Sequence, residues 1–276
     1  MSINTALVLG SGGATGIAWE LAVLVGLADA GVNLAADRVI GTSAGAVVAA
    51  RLTTGADLEL LLVGLGGELV GFDRTPLRVL PALVAAQLYP SRRQALLWLG
   101  RAAARGWTAA AEAVWVERLV PDLGETDWPE SLVIVATDVV TGRPAYFTAS
   151  QPVSLSLAVA ASCALPGVFP PVRVDGRLHF DGGLRSPANL DLAVGAQSVL
   201  ALVPNGGAVR PHRRAQAQGA SLANHGSAVR IVSPDSASRA AMGPDPLAGQ
   251  RTSAILAAGR VQGRRIAPEL DRFWAV

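Results

Sequence analysis

Ser43 stands at the centre of Gly41-Thr42-Ser43-Ala44-Gly45, between the apolar run Arg38-Val39-Ile40 and a small-residue segment from Ala46 to about Leu52. A G-x-S-x-G between a strand and a helix is the setting in which a serine becomes a nucleophile. The reason is steric. A sharp strand-to-helix turn forces the serine into a strained backbone, and small residues two positions to either side let the chain close. The hydroxyl then stands at a helix N-terminus, where the dipole favours developing negative charge. The competing reading is a glycine-rich turn whose serine merely caps the helix. The placement after a strand favours the nucleophile.

A second cluster, Gly10-Ser11-Gly12-Gly13-Ala14-Thr15-Gly16, follows the first apolar run. Consecutive glycines leave backbone N–H groups unshielded, and a helix N-terminus adds positive potential, so the segment can cradle an anion. The anion could be a dinucleotide pyrophosphate or the oxyanion of an acyl transfer. A dinucleotide site wants Asp or Glu at the end of the second strand. That strand runs into Gly41-Thr42-Ser43 instead, which favours acyl transfer.

A serine nucleophile needs a base. The three histidines are His179, His212 and His225. A triad in the order serine, acid, late histidine keeps His212 and His225 open. The other candidate is Asp181 in Phe180-Asp181-Gly182-Gly183, where two glycines let another segment approach the carboxylate. An Asp-Gly pair also caps turns, and on residue chemistry alone the base stays open.

Elements must position these groups. Thr5–Leu9 reads as a buried strand, and Ile17–Ala30 as a buried helix stopped by Gly31. With the second strand–loop–helix unit at 38–52, this predicts an α/β fold with a parallel sheet under covering helices. Residues 57 to about 120 read as helical pieces broken by Pro76, Pro81 and Pro90 and carrying Trp98, Trp107 and Trp115. Tryptophans on helices are more often core than lipid-facing, although these could also meet lipid. Ser131–Thr137 and Arg143–Thr148 read as strands, and Leu155–Ser162 as a helix. Asp175-Gly176 joins Val172–Val174 and Leu178–Phe180 into a hairpin. Ser198–Val203 and Val229–Val232 are further strands. Residues 205–227 lack periodicity and are expected to be a mobile loop, and a last helix is expected from Pro246 to Arg265. One domain is expected over 1–276, with its core at 5–55 and 130–203, a helical insertion at about 57–125, and a C-terminal strand and helix within 228–266.

Composition narrows the function classes. The chain has 276 residues, 51% hydrophobic and 16% charged, too apolar for a disordered protein. A lone cysteine, Cys163, is no disulfide scaffold and agrees with a reducing compartment. All 23 basic residues are arginine, which removes Schiff-base, P-loop-lysine and Ser–Lys chemistry. The net charge of +2 and the pairs Arg92-Arg93, Arg213-Arg214 and Arg264-Arg265 read as solvated faces, so no nucleic-acid partner is expected. No targeting or membrane-spanning segment is recognisable. The expectation is a cytoplasmic protein with peripheral membrane contact. Histidine and cysteine are too few and scattered for a metal site, and no cofactor is expected.

Three motifs in this order, G-x-G-G-x-x-G after the first strand, G-T-S-A-G, and Asp181-Gly182-Gly183 after a hairpin, resemble the patatin-like phospholipases. The resemblance extends to Ala160–Val172, to Asp181–Ala193 with Asn189, and to Ala136-Thr137-Asp138 with Thr141-Gly142-Arg143. It implies a three-layer α/β/α fold with a mostly parallel central sheet. It also implies a serine hydrolase that cleaves carboxylic esters of lipids or phospholipids through a Ser43–Asp181 dyad and an acyl-enzyme. Backbone N–H groups of Ser11, Gly12 and Gly13 would hold the oxyanion, and Gly41 and Gly45 would shape the nucleophile elbow. The substrate would be a lipid or acyl ester, with no cofactor. The chain departs from the family pattern at Ser11, where glycine is usual, and at Thr15, where a basic residue is usual. Thr15 becomes a candidate helix cap instead. The missing cation motivates the alternative of a catalytically weak or inactive, lipid-binding or scaffolding member.

Overall fold

The computed structural model describes residues 3–65, 91–105, 107–123, 126–206 and 211–274. Strand β1 (Ile3–Leu9) leads into helix α1 (Gly13–Asp29), and β2 (Arg38–Thr42) into α2 (Ala44–Thr53). Among the described residues, three helices follow: α3 (Leu58–Leu65), α4 (Arg92–Ala104) and α5 (Ala109–Leu119). Then come β3 (Leu132–Asp138), β4 (Pro144–Phe147), α6 (Leu155–Ser162), β5 (Val172–Val174) and β6 (Arg177–Asp181). The chain continues through β7 (Ala196–Leu202), α7 (Ala215–Asn224), β8 (Ala228–Val232), α8 (Ser236–Met242) and α9 (Thr252–Trp274). The expected breaks at Pro76, Pro81 and Pro90 lie outside the described residues.

The strands form one sheet in the order β5-β6-β3-β2-β1-β7-β8, with β4 also pairing β3. The pairs β1–β2, β1–β7, β2–β3 and β7–β8 are parallel, whereas β3–β4, β3–β6 and β5–β6 are antiparallel. Successive side chains of a strand point to opposite faces. Leu7 and Leu9 of β1, with Ile134, Ala136, Leu200 and Leu202, pack on one face against α1, α2, α6 and α9. Ala6 and Val8, with Ile40, Val135, Val199 and Ala201, pack on the other against α7 and the short turn Leu190–Ala193. Helices therefore cover both faces of a mostly parallel sheet. Burial on both faces is why the central strands are continuously apolar rather than alternating.

Three expectations change. Residues 205–227 are not a loop throughout, because α7 occupies Ala215–Asn224. Its buried residues, Ala215, Gln218, Gly219 and Leu222, follow helical spacing, but two of them are not apolar, which hid the period. The last helix begins at Thr252, not Pro246, and runs to Trp274 with Pro268 inside it; the shorter helix α8 precedes it. Helix α1 begins at Gly13, so Thr15 lies within its first turn and is not its cap. The N-cap is Gly12, which has no side chain to accept a capping bond.

Candidate active site

Strand β2 ends at Thr42, and Ser43 is the N-cap of α2. Its backbone sits at φ 53, ψ −116, a region costly for a residue with a Cβ, by about 1–3 kcal/mol. The turn closes only because Gly41 and Gly45, two positions to either side, lack side chains. A Cβ at Gly45 would lie 2.1 Å from the Leu9 carbonyl oxygen, and one at Gly41 2.7 Å from Ala46 Cα. A capping serine would turn its hydroxyl to the helix, but here no side-chain cap bond forms. Ser43 Oγ instead donates to Asp181 Oδ2 at 2.7 Å, across 138 residues of sequence.

Asp181 is the last residue of β6. Its other carboxylate oxygen, Oδ1, accepts from the Gly183 amide at 2.7 Å. The turn-capping role and the contact with the serine thus fall to the two oxygens of one carboxylate. Thr137 Oγ1 donates to the Asp181 carbonyl at 3.2 Å. Burial pushes the Asp181 carboxyl up to about 6, against the lowering effect of the Ser43 and Gly183 bonds. That removes much of the usual weakness of a carboxylate as a base toward a hydroxyl.

The glycine-rich loop approaches from the end of β1. Among the described residues, the amides of Gly12 and Gly13 meet no protein acceptor, and they stand at the N-terminus of α1. Gly13 has φ +63, and a Cβ there would meet the Pro246 carbonyl oxygen at 2.5 Å. Ser11 corrects the expectation that its amide joins the anion cradle. That N–H already donates to the Pro187 carbonyl at 2.7 Å. Thr15 donates its amide to the Pro246 carbonyl at 3.1 Å, and its hydroxyl lies 3.4 Å from the carbonyls of Gly12 and Pro246.

The three histidines lie elsewhere in the hydrogen-bond network. His179 is buried on β6, edge-on to Phe147 with ring centroids 5.2 Å apart, and burial lowers its pKa. His225 is exposed and its Nδ1 contacts the Ser221 carbonyl at 2.7 Å. His212 is exposed in the short turn Pro211–Arg213. Among the described residues, no histidine hydrogen-bonds to Ser43.

Two contributors carried no role in the sequence reading. Glu20 is fully buried on α1, and its Oε1 accepts from the Gly10 amide at 2.8 Å, at the root of the glycine loop. Burial holds its carboxyl well above the ordinary glutamate value. Asn189, noted only within the resembling segment, is fully buried with φ 50. Its side-chain nitrogen donates to Thr42 Oγ1 at 3.1 Å and to the Ser186 carbonyl at 2.9 Å. Its Oδ1 accepts from Arg185 at 2.6 Å, and Arg185 is itself paired with Asp191. Asn189 thereby ties the residue before Ser43 to the loop that follows Asp181.

The tryptophans divide. Trp115 is 7% exposed, stacked on Phe169 at 4.0 Å, and donates to the Ala160 carbonyl. Trp107 is half-buried beneath the Arg173 guanidinium. Trp98 is 61% exposed on α4. From that helix Ala95 and Leu99 pack with Leu165 and Leu184, beside the Asp181 loop. Among the described residues no helix is long and apolar enough to cross a membrane.

A family model for patatin-like phospholipases matches residues 7–194. An uncharacterized NTE family protein of Mycobacterium bovis is 32% identical over 223 residues, covering 78% of this chain and 53% of that protein. A second uncharacterized NTE family protein, of Mycobacterium tuberculosis, is 31% identical over 190 residues, covering 67% of this chain and 27% of the relative. The chain spans about half the length, or less, of these relatives. The crystal structure of VipD from Legionella pneumophila aligns with a TM-score of 0.44 and 15% identity, over 98% of this chain and 67% of that one.

Proposed function

The chain belongs to the patatin-like phospholipase family, and from that premise we propose that it is a serine hydrolase cleaving carboxylic esters of lipids through Ser43 and Asp181. One observation carries this reading: the 2.7 Å bond from the hydroxyl of a strained, elbow-borne serine to a buried carboxylate. Ser43 Oγ attacks the ester carbonyl carbon while its proton passes to Asp181 Oδ2. The amides of Gly12 and Gly13 and the N-terminus of α1 receive the oxyanion. Collapse of the tetrahedral intermediate breaks the bond to the alcohol oxygen, which leaves with the proton held on Asp181. The acyl group remains on Ser43. Asp181 then takes a proton from water, whose oxygen attacks the acyl carbon, and Ser43 recovers its proton as the acid departs.

The apolar wall of Ala95, Leu99, Leu165 and Leu184 beside the Asp181 loop suits an acyl chain. The same proposal places the protein in the cytoplasm, meeting a membrane surface through the face bearing Trp98. A phospholipase, a lysophospholipase and a simpler carboxylic ester hydrolase share this chemistry, and a substrate panel separates them.

The test is fluorophosphonate labelling together with turnover of short acyl esters and phospholipids. Wild type should label and hydrolyse. Ser43→Ala should do neither, Asp181→Ala should lose nearly all turnover, and a His212→Ala/His225→Ala variant should keep its rate. A wild type that neither labels nor hydrolyses, or an Asp181→Ala variant at full rate, overturns the proposal. Lipid co-purification without turnover would leave the lipid-binding reading in its place.

A further inference from the structure

A backbone as strained as that of Ser43 persists only where its surroundings over-determine it. Both polar groups of its peptide units are held by side chains from one short segment at the end of α6. The Ser43 amide donates to Ser162 Oγ at 2.8 Å. The Ser162 hydroxyl donates in turn to the Val135 carbonyl of β3 at 2.6 Å. Ser162 is fully buried, so its one proton and one of its two lone pairs are committed within the protein, and it has no solvent to turn to. The next residue, Cys163, directs its thiol to the Ser43 carbonyl at 3.2 Å, which also accepts from the Ala46 amide at 2.8 Å. The residue after that, Ala164, accepts the Asp181 amide on its carbonyl at 3.1 Å.

Three consecutive residues therefore grip the nucleophile by its N–H and its C=O, and the carboxylate residue by its N–H. The same strand residue is crowded from the other side. A Cβ at Gly182 would lie 2.2 Å from the Val135 carbonyl oxygen. The ends of β2, β6 and α6 thus converge on the middle of β3, and the Ser162 hydroxyl links the elbow to that strand.

We propose that Ser162 is a positioning residue of the Ser43–Asp181 site. Its hydroxyl fixes the elbow backbone, and residues 162–164 set the separation of the two reacting side chains. It touches no reacting atom. Its effect belongs to kcat rather than to substrate affinity, because it places Ser43 Oγ and lines no surface a substrate needs. This inference rests on the hydrolase reading for its kinetic consequence, but the brace itself can be measured without turnover.

The experiment compares wild type, Ser162→Ala, Ser162→Thr and Ser162→Cys by ester kinetics and by amide hydrogen exchange at Ser43–Gly45. Ser162→Ala should lower kcat by about 10- to 100-fold, the scale of a misplaced reacting group, with KM changed by less than about twofold. Ser162→Thr keeps the hydroxyl and should recover most of kcat. Exchange at the Ser43 amide should quicken by about tenfold or more in Ser162→Ala, with distant sheet amides unchanged. A Ser162→Ala enzyme with wild-type kcat, or a Ser162→Thr enzyme as impaired as Ser162→Ala, overturns the proposal. Should Ser162→Ala not fold, Ser162→Cys decides, since a thiol is a weak donor and acceptor and a wild-type kcat there would also overturn it. Should wild type show no turnover, the hydrolase reading fails on that control, and unchanged exchange at Ser43 in Ser162→Ala would separately sink the brace.

Discussion

The amide of Gly45 donates to the carbonyl of Gly10 at 2.9 Å, so the serine elbow and the glycine loop are joined backbone to backbone. Neither loop can shift without the other. Adding a methyl at Gly45 would drive a carbon to 2.1 Å from the Leu9 carbonyl oxygen. Gly45→Ala should therefore destabilise by about 1–3 kcal/mol or more and abolish fluorophosphonate labelling. A urea midpoint and labelling rate equal to wild type would contradict this contact.

The Asp181 carboxyl, pushed up to about 6 by burial, must be ionised to accept the serine proton. It is ionised above that pH and protonated below it. kcat/KM should rise with pH through about 6 and then level, reporting the free enzyme. A limb near the ordinary aspartate value would mean that the base is solvated. The profile is measured on a short acyl ester between about pH 4.5 and pH 8.

Glu20 gives a stability signature of opposite use. Its folded pKa is raised above the ordinary 4.5 by burial. Its contribution is then fully present below the unfolded value and is lost as pH rises toward the folded one. Glu20→Gln stays neutral throughout, so the variant should gain stability relative to wild type as pH is raised from below the ordinary glutamate value to above it. Denaturant titrations on either side of that value read this directly. A difference that does not change with pH would show that Glu20 is charged in the fold.

The exposed and buried tryptophans should separate packing from lipid contact. Trp115→Ala should cost about 3–5 kcal/mol, through its Phe169 stack and its bond to Ala160. Trp98→Ala should leave stability within about 0.5 kcal/mol while weakening sedimentation with phosphatidylcholine vesicles. Equal sedimentation of wild type and Trp98→Ala would remove this face from membrane contact.

Much of the architecture could be read from the chain because its signals are local. The apolar run at Thr5–Leu9, the helix stop at Gly31, and the hairpin at Asp175-Gly176, both with positive φ, depend on a few neighbouring residues. Helix α7 escaped notice because its buried face includes Gln218. That side chain is inside only because Leu190 donates its amide to it and Asp191 accepts from it, partners that lie 28 and 27 residues away. Pro246 read as a helix start for a similar reason. Its carbonyl is held by Thr15, 231 residues earlier, which the local sequence could not reveal.

The site divides along the same line. Steric demands that act within five residues marked Gly41, Ser43 and Gly45, and the glycine pair marked Asp181 as approachable. Residue chemistry left the base open between Asp181 and two late histidines. Folding resolved where the Ser43 hydroxyl points, because β2, β3 and β6 lie side by side and bring Asp181 to it from 138 positions away. Folding also withdrew the Ser11 amide, gave Asn189 its bridge, and set Ser162 beneath the elbow. Hydrogen bonds saturate: each donor and acceptor serves few partners, and which partner it finds depends on strands that only the folded sheet places in register.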